Sequence, residues 1–380
     1  MTILQLISSE GYYGAESMLL ALARALPGVA CNSMVAVFRD SRSHNGELER
    51  RAAQSGLTVA SVPCNGRWDR TVVRRLRQLV ETNGVDVLHT HGYKADIYGY
   101  AAAWPRRVAL VATCHNWPSR LKSMRAYAAI DRLALRNFDR VATASSPVAG
   151  ILNRWGVEAN RLKTIPNGVD MAPFQRACRN RAPGGGRRVG FIGRLVEDKG
   201  GAVLITAAQA VIQACPETKF VFAGEGPARP AWEELAARLG IASQVVFTGR
   251  QENMPEFYAS LDVVVLPSFQ ECMPMCLLEA LSAGKPVVAT DVGSVAEVVR
   301  QGVTGLLCEP RDAGALSTAI LRFLRDAEFA ERLSEQGRAH IAEHFSSEVI
   351  ARRYLGLYQE ALHGPTGEPA MPAVWQGSRS

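Results

Sequence analysis

No run in this 380-residue sequence approaches the roughly 18 consecutive apolar residues that a bilayer-spanning helix needs. The opening residues, M-T-I-L-Q-L-I-S-S, offer neither the basic segment nor the long apolar segment of an export signal, and they read as a first strand. The eight cysteines are scattered, and Cys31, Cys276 and Cys308 sit inside apolar runs. They read as reduced thiols of a cytoplasmic protein, not as a disulfide framework. Cys272 and Cys276 have no second Cys or His pair at zinc spacing, which excludes a zinc site there. No two aspartates are separated by a single residue, so the D-x-D pair that often holds a divalent cation is missing and no metal is expected. The dinucleotide fingerprint G-x-G-x-x-G is missing too, along with the acidic ribose ligand about 20 residues beyond it. That absence argues against a Rossmann oxidoreductase or a simple nucleotide binder.

What is present is a chain long enough for two α/β domains, with the apolar and charged fractions (47% and 21%) of a soluble globular protein. Short apolar runs alternate with amphipathic stretches. Strands are expected at 2–7, 33–38, 57–62, 85–89, 108–113 and 140–144, with helices such as Ala15–Leu26 and Arg70–Val80 between them. The pattern stops over 167–187, a turn-rich stretch that reads as a linker. It restarts with strands expected at 188–192, 219–223, 245–248, 262–266, 286–290 and 305–308. The alternation implies parallel sheets covered on both faces, hence two doubly wound domains, 1–168 and 169–345. Ligands of such sheets bind beyond the carboxyl ends of the strands, so two facing sheets would enclose a deep cleft. The last 18 residues carry three prolines and no periodicity and are expected to be disordered.

Five segments carry polar chemistry at expected strand ends. In E-G-Y-Y-G-A-E, Gly11 and Gly14 could bring backbone amides to a phosphate at a helix start, or could serve a plain β–α turn. In F-I-G-R-L-V-E-D-K-G, Arg194 and Lys199 could clamp a diphosphate, or be solvated. The segment Pro267–Thr290 is the most informative. Pro274 suits a first helical position, leaving the amides of Met275, Cys276 and Leu277 as an anion site. Glu271 precedes that helix and Glu279 lies more than a turn inside it, flanked by residues that look buried, so its carboxylate needs a partner. His115 in V-A-T-C-H-N-W and His91 in H-T-H-G-Y follow strand ends, where a histidine is structural more often than catalytic. F-A-G-E-G-P and F-T-G-R, the latter ending at Arg250, could wall a nucleotide base.

In order and in motif, these segments resemble the family-4 retaining glycosyltransferases of GT-B fold, over nearly the whole chain from Ile3 to Leu362. The hinge I-P-N-G-V-D followed by E-x7-E, Glu271 to Glu279, carries the resemblance most specifically. The family usually has two adjacent glycines in the first loop, whereas here Tyr13 precedes Gly14. The resemblance implies that Arg194 and Lys199 hold the donor diphosphate and that Glu279 binds ribose. It assigns Glu271 to the donor-sugar hydroxyls, His115 to the reacting centre, Gly14 to a phosphate contact and Arg250 to the base. It also implies that Ser346–Leu362 forms a helix returning to the first domain. The implied reaction moves a hexose, with retention, from a UDP- or GDP-sugar to a hydroxyl of a glycan or lipid-linked acceptor, without a metal and without nucleic acid. Another GT-B enzyme, such as a nucleotide-sugar epimerase, is the competing reading.

Residues 1–165 hold 22 Lys and Arg against 12 Asp and Glu, and the remainder 21 against 24, so the basic surface belongs to the first half. A helix over Trp117–Phe138 would place Lys122, Arg125, Arg132 and Arg136 on one face, beside Trp117, Leu121, Met124 and Tyr127. Two readings of that face stand: peripheral docking on an anionic membrane at the inner face of the plasma membrane, or an ordinary surface helix packed on its own sheet.

Overall fold

The computed structural model describes residues 1–9, 11–39, 46–66, 69–104, 108–115, 125–179 and 186–363. Seven strands form a first sheet: β1 (Thr2–Ser8), β2 (Asn32–Arg39), β3 (Thr58–Pro63), β4 (Val87–His91), β5 (Ala109–Cys114), β6 (Arg140–Thr143) and β7 (Leu162–Thr164). Six form a second: β8 (Arg188–Ile192), β9 (Lys219–Ala223), β10 (Val245–Gly249), β11 (Val263–Leu266), β12 (Val287–Thr290) and β13 (Leu306–Cys308). Every neighbouring pair is parallel, in the orders β3-β2-β1-β4-β5-β6-β7 and β10-β9-β8-β11-β12-β13. Strands such as β4, β5 and β11 are buried along their whole length, as parallel strands covered on both faces must be.

The helices covering the first sheet are α1 (Gly14–Ala25), α2 (Glu47–Gln54), α3 (Thr71–Thr82), α4 (Tyr93–Ala103), α5 (Arg125–Leu135) and α6 (Ser146–Arg154). After α7 (Met171–Arg179) come α8 (Gly201–Ala214), α9 (Arg229–Arg238), α10 (Met254–Ala259), α11 (Met275–Ser282), α12 (Val295–Val298), α13 (Ala313–Arg325), α14 (Ala327–His344) and α15 (Ser347–His363). The strand order reverses between β1 and β4 in the first sheet and between β8 and β11 in the second. Open parallel sheets bind ligands at such switch points. The loops leaving β1, β8 and β11 are the ones that carry Gly14, Arg194 with Lys199, and Glu271.

Three sequence expectations need correction. The seventh strand, β7, went unseen because Leu162–Thr164 is three residues with one apolar side chain. The stretch 167–187 is not linker throughout, because α7 occupies part of it. Met171, Phe174 and Ala177 recur at helical spacing and are buried on one face, which packs against α10 and α11. Pro274 is the N-cap in an extended conformation (φ −75°, ψ 116°), so the helix begins one residue later, at Met275. Trp117, Leu121, Lys122 and Met124 of the basic stretch lie outside the described residues, as do 364–380. Among the described residues no helix is long and apolar enough to cross a membrane.

The chain crosses between the sheets twice, and the crossings are bonded to each other. Val169 N–H donates to Phe345 O and Ser347 N–H to Val169 O, both at 2.9 Å. A Cβ on Gly168 would stand 3.0 Å from Ile350, so glycine lets the two crossings lie this close. Helix α15 then packs on α1, β5 and β6, burying Ile350, Tyr354, Leu357 and Tyr358 completely. Arg140 and Lys163 hold its far end through Glu360, at 3.2 and 2.5 Å. The first domain is therefore finished by the end of the sequence. Leu357→Ala is expected to cost about 3 kcal/mol of folding stability in urea titration, by lost transfer and an unfilled cavity. Leu362→Ala, at an exposed position of the same helix, should stay within about 0.5 kcal/mol.

Candidate active site

A cleft of about 640 Å³ opens between the two sheets, a volume typical of small-ligand sites. Its walls include Tyr12, Gly14 and Ser17 from the first domain and Arg194, Lys199, Arg250, Glu271, Met275, Cys276 and Glu279 from the second. At its centre two helix starts abut. A Cβ on Gly14, the first residue of α1, would lie 3.3 Å from Cγ of Met275, the first residue of α11. The α11 start has no side-chain cap and no acidic residue in its first turn, which suits an anion, whereas at α1 the Glu16 carboxylate accepts from Tyr13 N–H at 3.0 Å. Leu277 does not contribute as expected: its N–H donates to Pro274 O at 3.2 Å and its side chain is fully buried. Met275 and Cys276, the first two residues of α11, do line the cleft.

The loops after β8 and β11 are pressed together. Gly200 has φ +69°, and a Cβ there would meet Pro267 O at 1.9 Å, so only glycine allows the approach. Phe269 N–H donates to Asp198 O at 2.8 Å across the same junction. The result sets Lys199 Nζ 2.5 Å from Glu271 Oε1, which also accepts from Ser268 Oγ at 2.7 Å. An ammonium has three donors, so Lys199 can hold Glu271 and still reach a phosphate. The Arg194 side chain is exposed and makes no ion pair among the described residues, so its charge remains available.

Glu279 accepts from Tyr258 Oη at 2.9 Å and from Ser17 Oγ at 3.5 Å, one donor from each domain. Its carboxyl is 8% exposed, and burial pushes its pKa up to about 7, with the two hydroxyls pulling the other way. Arg250 lines the cleft as expected but is already engaged by the first domain: it pairs with Glu47 of α2 and donates to Tyr12 O at 3.3 Å. His115 does not line the cleft among the described residues. It stands at the end of β5, with Nε2 3.2 Å from His91 Nδ1. Burial pushes its pKa down to about 4, and Asn167 of the hinge opposes that shift. Ser17, Tyr258 and Glu47 carried no sequence signal. Each is distant in the chain from its partner, and only the fold brings them together.

The fold and its cleft can now be set beside known proteins. The chain superposes on the Anabaena protein HepE, solved in complex with UDP and glucose, with a TM-score of 0.77 at 22% identity, over 93% of this chain and 98% of that one. It superposes on a glycosyltransferase from Rickettsia africae with a TM-score of 0.78 at 19% identity, over 96% and 99%. Residues 12–172 match the family model described as "Glycosyltransferase Family 4" and residues 186–326 the one described as "Glycosyl transferases group 1". D-inositol 3-phosphate glycosyltransferase of Salinispora tropica is 30% identical over 342 residues, spanning 81% of this chain and 70% of the relative. Glycogen synthase of Mycobacterium tuberculosis is 28% identical over 302 residues, 76% and 72%. Two parallel sheets with their switch points on one cleft thus form an enzyme of the GT-B glycosyltransferase class. Within that class the chain belongs to glycosyltransferase family 4.

The raised pKa of Glu279 makes opposite predictions for stability and for binding. The folded protein holds this proton more tightly than the unfolded chain. Its stabilising contribution is therefore complete below the ordinary carboxyl range and is lost as pH rises through about 7. Glu279→Gln should raise the melting temperature of the ligand-free protein by a few degrees at about pH 8, and the gain should shrink towards pH 5. The same change should weaken binding of free UDP or GDP roughly tenfold at pH 8 in calorimetry, because a carboxylate accepts vicinal hydroxyls better than an amide.

Proposed function

We propose that this glycosyltransferase moves a hexose from a UDP- or GDP-sugar to a hydroxyl of a glycan or lipid-linked acceptor, with retention at the anomeric carbon and without a metal. The observation that carries this reading is the convergence of Arg194, Lys199 and two helix starts on one cleft. Such an arrangement stabilises a departing diphosphate with fixed positive charge, the role a cation plays in metal-dependent enzymes. Met275 and Cys276 would hold phosphate oxygens through their amides. Glu279 would take the ribose hydroxyls, and Glu271, steadied by Lys199 and Ser268, those of the sugar.

The family resemblance implies retention. Glu271 is tied to Lys199 and Ser268, and Glu279 to Tyr258 and Ser17, so neither stands out as a covalent nucleophile. The route proposed is front-face, in which an oxocarbenium-like centre forms as the diphosphate leaves. The departing phosphate then takes the proton of the incoming hydroxyl. The protein supplies position and charge. His115 would stand near the sugar. It is neutral near pH 7, able to donate or accept a hydrogen bond without adding charge to a cationic centre.

A panel of UDP-, GDP- and ADP-sugars, scored for slow hydrolysis and for the anomeric configuration of products, tests the reading. The expected products keep the donor configuration, and turnover is unchanged by EDTA. Arg194→Ala should lower turnover about a hundredfold, the usual cost of losing one charged partner of a leaving group. An inverted product, or activity lost to EDTA and restored by manganese, overturns it. Isomerised nucleotide-sugar formed without an acceptor indicates an epimerase.

The second reading concerns place of work: the first domain docks on an anionic cytoplasmic membrane surface. Two of the basic residues first assigned to the docking face are held against Trp155, although Arg136 stays exposed. Arg132 stacks on Trp155 at 3.8 Å, and Arg136 Nε donates to Trp155 O at 2.8 Å. Among the described side chains of α5, those left to solvent are Ala129, Ile130 and Leu133, the last 61% exposed. Apolar insertion next to a net-basic domain supports docking. In vesicle flotation with anionic lipid, binding should fall with salt and with Leu133→Asp. A protein that stays in the soluble fraction at low salt overturns docking.

A further inference from the structure

Behind the cleft wall, side chains from β1, β4, β5 and α15 form one continuous hydrogen-bonded row. From the end of β5 inward, His115 Nε2 lies 3.2 Å from His91 Nδ1, and His91 Nε2 lies 2.8 Å from Gln5 Oε1. Gln5 Nε2 donates to Tyr358 Oη at 3.3 Å, and Tyr358 Oη lies 2.8 Å from His89 Nδ1. His89 Nε2 is 2.7 Å from Thr113 Oγ1, which is 2.8 Å from Tyr354 Oη. Gln5, His89, Thr113, Tyr354 and Tyr358 are fully buried, and His91 is nearly so. Apolar residues would fill the space at lower cost, because every polar group here must be matched by a partner.

The row has a property that its members lack singly. Burial lowers the pKa of each of the three imidazoles and keeps it neutral, so each has one N–H and one lone pair. A neutral imidazole that donates on one side must accept on the other, and the Gln5 carboxamide likewise presents oxygen to one neighbour and N–H to the other. From His115 through His91 to Gln5, donor and acceptor therefore alternate in a single direction, and turning one of these three reverses the other two; the hydroxyls of Tyr358 and Thr113 can accept from both neighbours. By accepting from Gln5 Nε2, the Tyr358 hydroxyl holds Gln5 Oε1 towards His91 Nε2 and so decides, through His91, which nitrogen of His115 carries the proton.

We propose that Tyr358 is a positioning residue for the glycosyl transfer: from the returning helix it sets, through Gln5 and His91, the orientation and tautomer of His115. The reaction-level part of this rests on the reading of His115 as the group beside the transferred sugar. The tautomer does not depend on that reading. The row also makes His115 sensitive to the seating of α15, so that the end of the chain completes the reacting centre as well as the first sheet.

The test is nitrogen NMR of the full-length protein labelled in histidine, with resonances assigned by single His→Gln changes, at about pH 7. The wild type should show His115 as one neutral tautomer. Tyr358→Phe removes one hydroxyl at constant packing and should give an averaged His115 signal. It should also lower kcat roughly tenfold while leaving the affinity for free UDP or GDP unchanged. A wild-type His115 that is already averaged, or one that keeps its tautomer in Tyr358→Phe, overturns the proposal, and the wild-type measurement stands even if the variant fails to fold. A tautomer that responds while the transfer rate does not overturns the role of His115 in the reaction and leaves the coupling intact.

Discussion

The two domains come close where Gly14 faces the Met275 side chain, whose Cγ would stand 3.3 Å from a Cβ at position 14. That contact sets the scale of the cleft. It brings Ser17, a turn into α1, within reach of Glu279, a turn into α11. It also places the start of α11, which no side chain caps, beside the start of α1. A Cβ at position 14 would ask the Met275 side chain to give by a few tenths of an ångström, beside the contact of Ser17 with Glu279. The usual pair of glycines in this family is here Tyr13-Gly14, and Gly14 is the one pressed against the second domain. Tyr13 is 58% exposed and lines the cleft, with the Arg250 guanidinium 5.4 Å from its ring.

Much of this was legible in the sequence, and what was not has a physical reason. The strands at 188–192 and 219–223 were read to the residue because each is an unbroken apolar run that ends at a glycine or alanine step. β7 has a single apolar residue, and α7 is flanked by the turn-formers that hid it. Arg194, Lys199, Glu271 and Glu279 could be singled out because each lies at a strand end or helix start, where local pattern speaks. Arg250 was legible as a cleft residue but not as the partner of Glu47, which arrives from 203 positions away. Tyr258, Ser17 and the row behind His115 are long-range pairings of ordinary-looking residues, and no periodicity announces them.

Function and stability pull against each other at Glu279. Burial pushes this carboxyl up to about 7 and towards neutrality, while the hydroxyls of Tyr258 and Ser17 favour its charge. Lys199 and Glu271 solve the same problem differently, by neutralising each other within a junction that glycine makes tight. The cleft thus carries one settled pair and one unsettled acid.

The bonded crossings at Val169 and Ser346 have a mechanical meaning. A single linker lets two bodies swivel, twist and slide. Two linkers laced side by side behave as a flat strap, which bends readily about the line across it and resists torsion and shear. Relative motion of the domains is thereby reduced to something near one angular coordinate. A donor that enters by widening that angle finds the same facing surfaces each time the angle closes, without a search over misaligned arrangements.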